Sequence, residues 1–338
     1  MILIDALYIN NSGGLELLKY LIEYLEKNSI SAHYLIDKRC EDSFLLVPKE
    51  RKSVLHASIL NRLQFYKHHR DSYESVLCFG NIPPNISMDA KVYTYFHNIN
   101  LLEIPKGISF KQRLVTKLKQ VYLQYYKRNT DEWIVQTDNT KNALCKALNI
   151  DNNKILVLPF FRPVSYLKKQ NIKRAGYIYV ANYIKEKNHE TLIHAWNKLS
   201  VLGFNVTLHL TLSKIPSNLE ELLKESIKSG TPIQNHGFVQ KTQLEKLYLK
   251  SKATVYPSLN ESLGLGIIEA LQYGCDVIGS NLPFIHTICK PSAVFAPLEV
   301  DSIVKSVIDY ETKKYIKSEL LIKDNLPILY ELLNKKFN

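Results

Sequence analysis

The chain has 338 residues, and 44 lysines and arginines against 32 acidic residues give it a formal net charge of +12 at pH 7. A hydrophobic fraction of 46% excludes a disordered chain, and the length is typical of two domains. The excess of positive charge leaves nucleic acids, anionic membranes and phosphorylated small molecules open as partners.

Short apolar runs alternate with amphipathic patterns in the first half of the chain. We predict strands at residues 2–8, 32–36, 75–79, 92–96, 133–136 and 155–158, and helices at 15–27, 54–69, 110–127 and 139–148. After the first strand, Gly13 and Gly14 stand where a loop brings backbone N–H groups against a phosphate, although a plain strand–helix turn also uses glycines there.

A segment with prolines and cations, residues 160–175, is interpreted as a linker between domains. The alternation then resumes with strands at 177–181, 206–212, 233–236, 254–256, 277–279 and 293–295, and helices at 190–199, 218–228, 242–251, 264–273 and 300–310. The leucine- and lysine-rich tail, residues 313–338, is helical by pattern. We predict an α/β fold of two Rossmann-like, doubly wound domains, residues 1–165 and 166–317, that face each other across a ligand cleft. A C-terminal helix at about 318–338 is expected to pack back on the first domain.

The most informative stretch follows the strand at 254–256. Gly264 and Gly266 stand in the first turn of a predicted helix, where a ligand can approach the backbone and where the helix N-terminus suits a phosphate. Glu261 and Glu269 flank this turn eight positions apart. Carboxylates beside an anion site suggest hydrogen bonds to sugar hydroxyls, one to a ribose and one to a hexose.

This run resembles the retaining glycosyltransferases of family 4 (group 1), of the bacterial surface-polysaccharide type, which have the GT-B fold. The resemblance implies that Glu269 binds the ribose of a nucleotide donor and Glu261 the donor sugar. It also implies that the helix start at Gly264 and Leu265 faces the diphosphate.

A second matching element implies a diphosphate-binding cation at Lys187. Ala181 and Asn182 replace the Gly-Arg pair that is common in the family, so one of two phosphate cations is missing. Lys185 can substitute from the same loop, and Asn182 can donate a neutral hydrogen bond; both remain open.

The resemblance implies roles for five more residues. Phe238 and Val239 are expected to line the base pocket, with aromatic core packing as the alternative for Phe238. Gly13 and Gly14 become donor-loop residues. His97 is placed as a catalytic residue facing the cleft, with a structural histidine as the alternative.

Basic residues cluster on the first domain. One cluster is Lys106, Lys111, Arg113, Lys117, Lys119, Lys127 and Arg128, interleaved with apolar residues and without an acid; another lies at 49–70. Contact with an anionic membrane and an ordinary solvated helix face remain equally open. Nucleic-acid binding is disfavoured because no recognised motif accompanies the charge.

The predicted function is transfer of a sugar, with retention, from a UDP- or GDP-sugar to a hydroxyl of a lipid-linked glycan in O-antigen or capsule synthesis. No Asp-x-Asp motif is present, so no metal and no cofactor beyond the nucleotide sugar are expected. Five scattered cysteines, no apolar run of membrane-spanning length and no basic leader predict a cytoplasmic protein, peripheral at the inner face of the plasma membrane. The alternative is a non-catalytic nucleotide-sugar-binding or scaffold protein of the same fold.

Overall fold

The computed structural model describes residues 1–102, 110–164 and 173–335, with Gln112 described by its backbone alone. The chain forms two compact units, residues 1–162 with the tail from Lys323, and Pro163–Ile322. Lys106 of the basic cluster and residues 165–172, half of the predicted linker, lie outside the described residues. Within the described ranges, no helix has the length and apolarity needed to span a bilayer.

The first unit contains a seven-stranded parallel sheet in the order β3-β2-β1-β4-β5-β6-β7. Its strands are β1 (Ile2–Asp5), β2 (Ala32–Asp37), β3 (Lys52–Leu55), β4 (Ser75–Cys78), β5 (Lys91–Phe96), β6 (Glu132–Val135) and β7 (Ile155–Val157). The helices are α1 (Ser12–Lys27), α2 (Ile59–His68), α3 (Phe110–Tyr126) and α4 (Asp138–Leu148). Strands β1 and β4 are buried at every position, as expected for a sheet covered on both faces.

Two of the boundaries that differ from the prediction in the first unit have a clear local cause. The predicted helix at 54–69 begins only at Ile59, because Ser58 caps it by accepting a hydrogen bond from the N–H of Asn61 at 3.0 Å. The residues before it form β3, an edge strand that its half-buried, mixed sequence did not reveal. The first strand ends at Asp5, three residues early, because the Asp5 carboxylate accepts a hydrogen bond from the N–H of Leu7 and turns the chain.

A buried ion pair connects β1 to α2. Asp5 and Arg62 are both only 1% exposed, and their charged groups lie 2.7 Å apart. The same guanidinium donates to the carbonyl oxygens of Ile82 and Pro83, at 3.0 and 2.6 Å. Tyr66 donates its hydroxyl to the Asp5 carboxylate. Arg62 therefore fixes the segment after β4 against the end of β1.

The second unit contains a six-stranded parallel sheet in the order β10-β9-β8-β11-β12-β14. Its strands are β8 (Tyr177–Tyr179), β9 (Leu208–Leu210), β10 (Ile233–Asn235), β11 (Ala253–Tyr256), β12 (Asp276–Ser280) and β14 (Ala293–Phe295). The helices are α5 (His189–Val201), α6 (Ser217–Lys228), α7 (Lys241–Lys250), α8 (Leu265–Gln272), α9 (Pro283–Ile288) and α10 (Val300–Thr312). Both units are thus doubly wound α/β folds, as the sequence predicted.

The prediction of a helix throughout 313–338 is wrong. Strand β15 (Glu319–Leu320) pairs antiparallel with β13 (Cys289–Lys290), and the helix α11 covers only Leu326–Leu333. Pro327 stands in the first turn of α11, where the N–H that proline lacks would have no partner within the helix, so it is compatible with a start at Leu326. The buried residues of α11 pack within the first unit, where Ser75 donates its hydroxyl to the carbonyl oxygen of Leu333 at 2.7 Å.

Candidate functional site

The strand order of the second unit identifies one edge of its sheet as a place for a ligand. Strand β8 has β9 on one side and β11 on the other, so the connections after β8 and β11 leave in opposite directions. In open parallel sheets, ligands bind outside the carboxyl ends of the strands at such a switch point. The segment after β8 contains Lys187, and the segment after β11 contains Glu261.

Lys187 and Glu261 form an ion pair at this edge. The ammonium of Lys187 bonds Oε1 of Glu261, and the two side chains are only 18% and 10% exposed. Tyr256, the last residue of β11, donates its hydroxyl to the same oxygen at 3.0 Å. The ring of Tyr256 also lies 5.8 Å from the Lys187 ammonium, within cation–π range. Two residues that were selected separately from the sequence are therefore in direct contact.

Backbone contacts hold the Lys187 loop in place. Tyr179 of β8 donates its hydroxyl to the carbonyl oxygen of Lys187 at 2.9 Å and lies 2.9 Å from the hydroxyl of Ser258. The N–H of Leu259 donates to the carbonyl oxygen of Glu186 at 2.8 Å. The two segments that meet at the switch point are thus joined by hydrogen bonds on both sides of the ion pair.

Tyr256 is a site residue that the sequence interpretation missed. Burial and then the nearby Glu261 carboxylate raise its pKa well above the ordinary value, so the hydroxyl stays protonated and donates. Its position at the carboxyl end of the fourth strand of a doubly wound unit was the available signal.

The N-terminus of α8 lies at the same edge of the sheet. Gly264 caps the helix with φ +66°, in the left-handed region that favours glycine. A Cβ at Gly264 would meet Ile288 at 2.9 Å, and one at Gly266 would meet Tyr256 and the carbonyl oxygen of Val180 at 3.2 Å. Backbone conformation at Gly264 and packing at both positions favour glycine here, and the approach of a ligand to this backbone stays a prediction. Leu265, between them, is partly buried.

Glu269 lies one turn further along α8. The hydroxyl of Tyr248, a fully buried residue of α7, donates to Oε2 of Glu269 at 3.3 Å. This contact orients the carboxylate, because the Tyr248 side chain is fixed by its own burial.

The remaining predicted residues of this unit lie in loops after β8 and β10. Asn182 and Lys185 are both exposed in the segment after β8. Phe238 is 82% exposed in the segment after β10, and Val239 is partly buried. Core packing, the alternative for Phe238, is wrong. An exposed aromatic ring at the carboxyl edge of the sheet is available for stacking.

In the first unit, the structure brings His97 and the glycine pair together. Helix α1 begins at Ser12, so Gly13 and Gly14 lie in its first turn and not in a loop before it. A Cβ at Gly14 would lie 3.0 Å from Cε1 of His97, a tight contact, so glycine favours this close approach. The His97 N–H donates to Oδ1 of Asn81 at 2.7 Å, and the His97 ring stacks on Phe79 at 5.2 Å.

Burial keeps His97 neutral. It lowers the His97 pKa to about 4. Within the described part of the chain, the buried Nε2 atom of His97 has no hydrogen-bond partner. A neutral imidazole with an unoccupied nitrogen can accept or donate one hydrogen bond to a ligand.

Two buried histidines predict how stability depends on pH. Burial lowers the pKa of His97 to about 4, and burial and then Lys187 lower that of His189 to about 3. Unfolded histidine binds protons near pH 6.5, so each contribution to stability is complete above that pH and is lost as the pH falls towards the folded-state value. We expect the urea concentration at the unfolding midpoint to decrease as the pH is lowered from 7 to 5. His189→Leu removes a group that takes up as much as one proton on unfolding. The variant should therefore lower the slope of the unfolding free energy against pH by up to about 1.4 kcal/mol per pH unit. The exposed His68 provides the control His68→Asn; equal slopes in wild type and both variants would contradict the prediction.

Among the described residues, no group of three or more His, Cys, Asp or Glu side chains could hold a metal ion. The positive charge at the switch point comes from Lys187 and from the N-terminus of α8.

Comparison with known proteins agrees with this geometry. The sequence of residues 166–325 matches the family described as glycosyl transferases group 1. These residues form a group 1 glycosyltransferase domain. The matched residues include Lys187, Glu261 and Glu269. The resemblance to group 1 glycosyltransferases that the sequence indicated is confirmed.

Curated relatives of the group 1 domain include bacterial mannosyltransferases. O-antigen chain mannosyltransferase B of Escherichia coli is 28% identical over 147 residues, 42% of this chain and 38% of that protein. The serotype-specific mannosyltransferase WbdA of Escherichia coli is 24% identical over 251 residues, 71% of this chain and 31% of that protein. The chain thus matches about a third of these relatives' own length.

Solved structures share the fold. WaaG, a glycosyltransferase involved in lipopolysaccharide biosynthesis, has a TM-score of 0.66 at 13% identity and covers 93% of this chain and 91% of its own. Sucrose-phosphate synthase from Thermosynechococcus elongatus has a TM-score of 0.72 at 14% identity, covering 92% and 89%. The predicted GT-B fold class, with two parallel-sheet α/β domains, is confirmed.

Proposed function

We propose that this chain is a glycosyltransferase that moves a hexosyl group from a nucleoside diphosphate sugar to a hydroxyl of a glycan. The observation that carries the proposal is the Lys187–Glu261 pair at the switch point of a group 1 domain. The transfer breaks the bond between the sugar and the diphosphate, forms a glycosidic bond, and releases the nucleoside diphosphate. The names of the curated relatives favour mannose as the sugar.

The ion pair supplies the two kinds of group that a nucleotide sugar needs. A diphosphate offers negative charge to the Lys187 ammonium, while sugar hydroxyls offer donors to the Glu261 carboxylate. Donor binding therefore gives Lys187 a new counter-charge and Glu261 new hydrogen-bond donors, so neither buried group is left without a partner. The Lys187 charge can then stabilise the leaving diphosphate, together with the N-terminus of α8 at Gly264 and Leu265.

The other residues receive roles by position. Glu269, oriented by Tyr248, would accept hydrogen bonds from the ribose, and the exposed Phe238 with Val239 would contact the base. Asn182 would donate a neutral hydrogen bond to the diphosphate. In the first unit, Gly13, Gly14 and the neutral His97 would contact a sugar.

The finer features of the reaction are part of the same proposal. We propose retention of configuration, no metal requirement, and a lipid-linked acceptor in surface-polysaccharide synthesis at the cytoplasmic face of the membrane. The relatives' O-antigen names support this acceptor class. The second candidate, a nucleotide-sugar-binding protein without activity, is favoured by one observation, the asparagine at position 182 in place of a cation.

A thermal-shift screen with UDP-, GDP-, ADP- and CDP-sugars tests the donor site. Because ligand binding to the native state adds RT ln(1 + [L]/Kd), the matching donor at 100 times its Kd should add about 2.7 kcal/mol of stability and raise the unfolding temperature by about 5 °C. GDP-mannose is the first candidate. Glu269→Ala should remove most of the shift, whereas Glu245→Ala on α7 should retain it.

The outcomes separate the two candidates. A shift accompanied by transfer to a glycan acceptor supports the enzyme, and a shift without transfer or donor hydrolysis supports the binding protein. Failure of every nucleotide sugar to change the transition would overturn both.

A further inference from the structure

Helix α3 carries its apolar side chains on the face that points to solvent. Six of them are exposed. Val115, 43% exposed, lies to one side of the others, and the remaining five are Phe110 82%, Leu114 49%, Leu118 62%, Val121 65% and Tyr125 56%. Their spacing of four, four, three and four residues places them in one stripe, about 80° wide at 100° per residue. The exposed face of this helix is therefore a continuous apolar surface.

The opposite face of α3 packs on the first unit. Leu123 is 2% exposed and belongs to a core cluster with Phe96 and Trp133. Its direction on the helix is about 180° from the centre of the stripe. A surface helix of a water-soluble domain normally shows the reverse arrangement, with its apolar stripe against the core and its polar residues outside.

Positive charges lie beside the stripe. Lys111 and Lys117 flank its two sides, and Arg113 and Lys119 lie further around the helix; all four are exposed. Residues 110–126 contain no Asp or Glu. The guanidinium of Arg128 lies 4.6 Å from the centroid of the Tyr125 ring, at the end of the stripe. The surface thus combines an apolar centre with a cationic border.

We propose that the outer face of α3 docks on an anionic phospholipid bilayer. The stripe would enter the boundary between headgroups and acyl chains, and the flanking lysines would bind lipid phosphates. This charge pattern argues against a second copy of the chain, because paired α3 faces would bring like charges together. It also argues against nucleic acid, because the centre of the surface is apolar.

The inference extends the proposed function, since a lipid-linked acceptor lies in a bilayer, but its test does not use catalysis. The full-length chain is sedimented with vesicles of phosphatidylcholine alone or with about one-third phosphatidylglycerol. We expect binding to the anionic vesicles and little binding to the neutral ones.

Two variants separate the apolar and the electrostatic contributions. Leu114→Ser, Leu118→Ser and Val121→Ser together should lower the partition coefficient about 100-fold, because three partly exposed apolar side chains no longer enter the bilayer. Lys111→Gln with Lys117→Gln should lower it about 25-fold, about fivefold for each lysine.

The matched control changes three exposed aliphatic residues of the second unit, Val201→Ser, Leu298→Ser and Ile316→Ser, which are 87%, 70% and 84% exposed. It should bind vesicles like the wild type. All variants should keep the wild-type unfolding temperature, because the replaced side chains of α3 are exposed.

Three results would overturn the inference: no preference for anionic vesicles, equal binding by the triple α3 variant, or a dimer in light scattering that this variant dissociates. A chain that binds vesicles but no nucleotide sugar would refute the proposed function and leave the docking surface intact. The reverse result would refute the docking surface alone.

Discussion

Lys187→Ala is expected to reduce kcat/KM for sugar transfer about 100- to 1,000-fold. The ammonium is held by Glu261 beside the ring of Tyr256, so it is positioned before the donor binds. Charge that develops on the leaving diphosphate would find this cation in a site from which water is largely excluded. Steady-state kinetics with the nucleotide sugar identified by the thermal-shift screen provide the measurement.

A charge exchange separates a catalytic role from a structural one. Lys187→Ala leaves Glu261, 10% exposed, without its cation and should also lower stability. In the double variant Lys187→Glu and Glu261→Lys the ion pair can re-form, so we expect the unfolding temperature to recover while transfer stays low. Recovery of activity together with stability would show that the pair serves only the fold.

Two further lysine variants test whether another cation replaces the arginine that the family commonly has at the position of Asn182. Lys198→Ala removes an exposed lysine that pairs with Asp301 and should leave kcat/KM unchanged. Lys185→Ala removes the cation that can compensate for Asn182 from the same loop. A loss as large as that of Lys187→Ala would assign Lys185 to the diphosphate; wild-type activity for both Lys185→Ala and Lys187→Ala would contradict the proposed donor site.

The contact between Lys187 and Glu261 could be anticipated from the sequence, although 74 residues separate them. The alternation of apolar runs predicts a doubly wound sheet, and in such a sheet the segments after its first and fourth strands meet at the switch point. Lys187 was selected through the family resemblance, and Glu261 through that resemblance together with its place beside a predicted helix start. The strand order then explains why the two side chains meet.

Other features depend on packing that a pattern does not encode. The exposure of Phe238 and the hydrogen bond from Tyr256 to Glu261 are set by how side chains fill space at the end of the sheet. Gly14 packs closely against the ring of His97, which is far away in sequence. In the tail, the short strand β15 forms because β13 offers a partner, and local helix propensity yields to that pairing.

The orientation of α3 illustrates the same limit in another way. Its sequence shows an apolar stripe with cations beside it, which fits both a core-facing helix and a membrane-facing one. Only the burial of Leu123 on one side and the exposure of Leu118 on the other decide which face meets the protein. The exposed fractions of these side chains therefore show that the apolar stripe of α3 faces the solvent, where its binding to vesicles can be tested.

Arg62→Met is expected to destabilise the first unit by about 3–5 kcal/mol. The substitution leaves the Asp5 carboxylate, 1% exposed, without its cation, and it removes donors from the carbonyl oxygens of Ile82 and Pro83. Methionine fills much of the volume, so the loss would come from charge and hydrogen bonding and not from a cavity.

The measurement can be made specific to one unit because the chain has two tryptophans, Trp133 in the first unit and Trp196 in the second, both fully buried. In a Trp196→Phe background, fluorescence during urea unfolding reports the first unit alone. Arg62→Met should lower the midpoint of that transition. The control is Arg70→Met. Its free energy of unfolding, measured by Trp133 fluorescence, should stay within about 0.5 kcal/mol of the wild-type value, because Arg70 and its partner Asp89 are exposed.

The double variant Asp5→Asn and Arg62→Met decides the cause. Removing the carboxylate charge together with its cation leaves no unpaired charge, so part of the lost stability should return. If the double variant were less stable than Arg62→Met by the full cost of Asp5→Asn alone, the two residues would be energetically independent. In that case the stability of the first unit would rest on the bonds from Arg62 to Ile82 and Pro83, and the ion pair would contribute little.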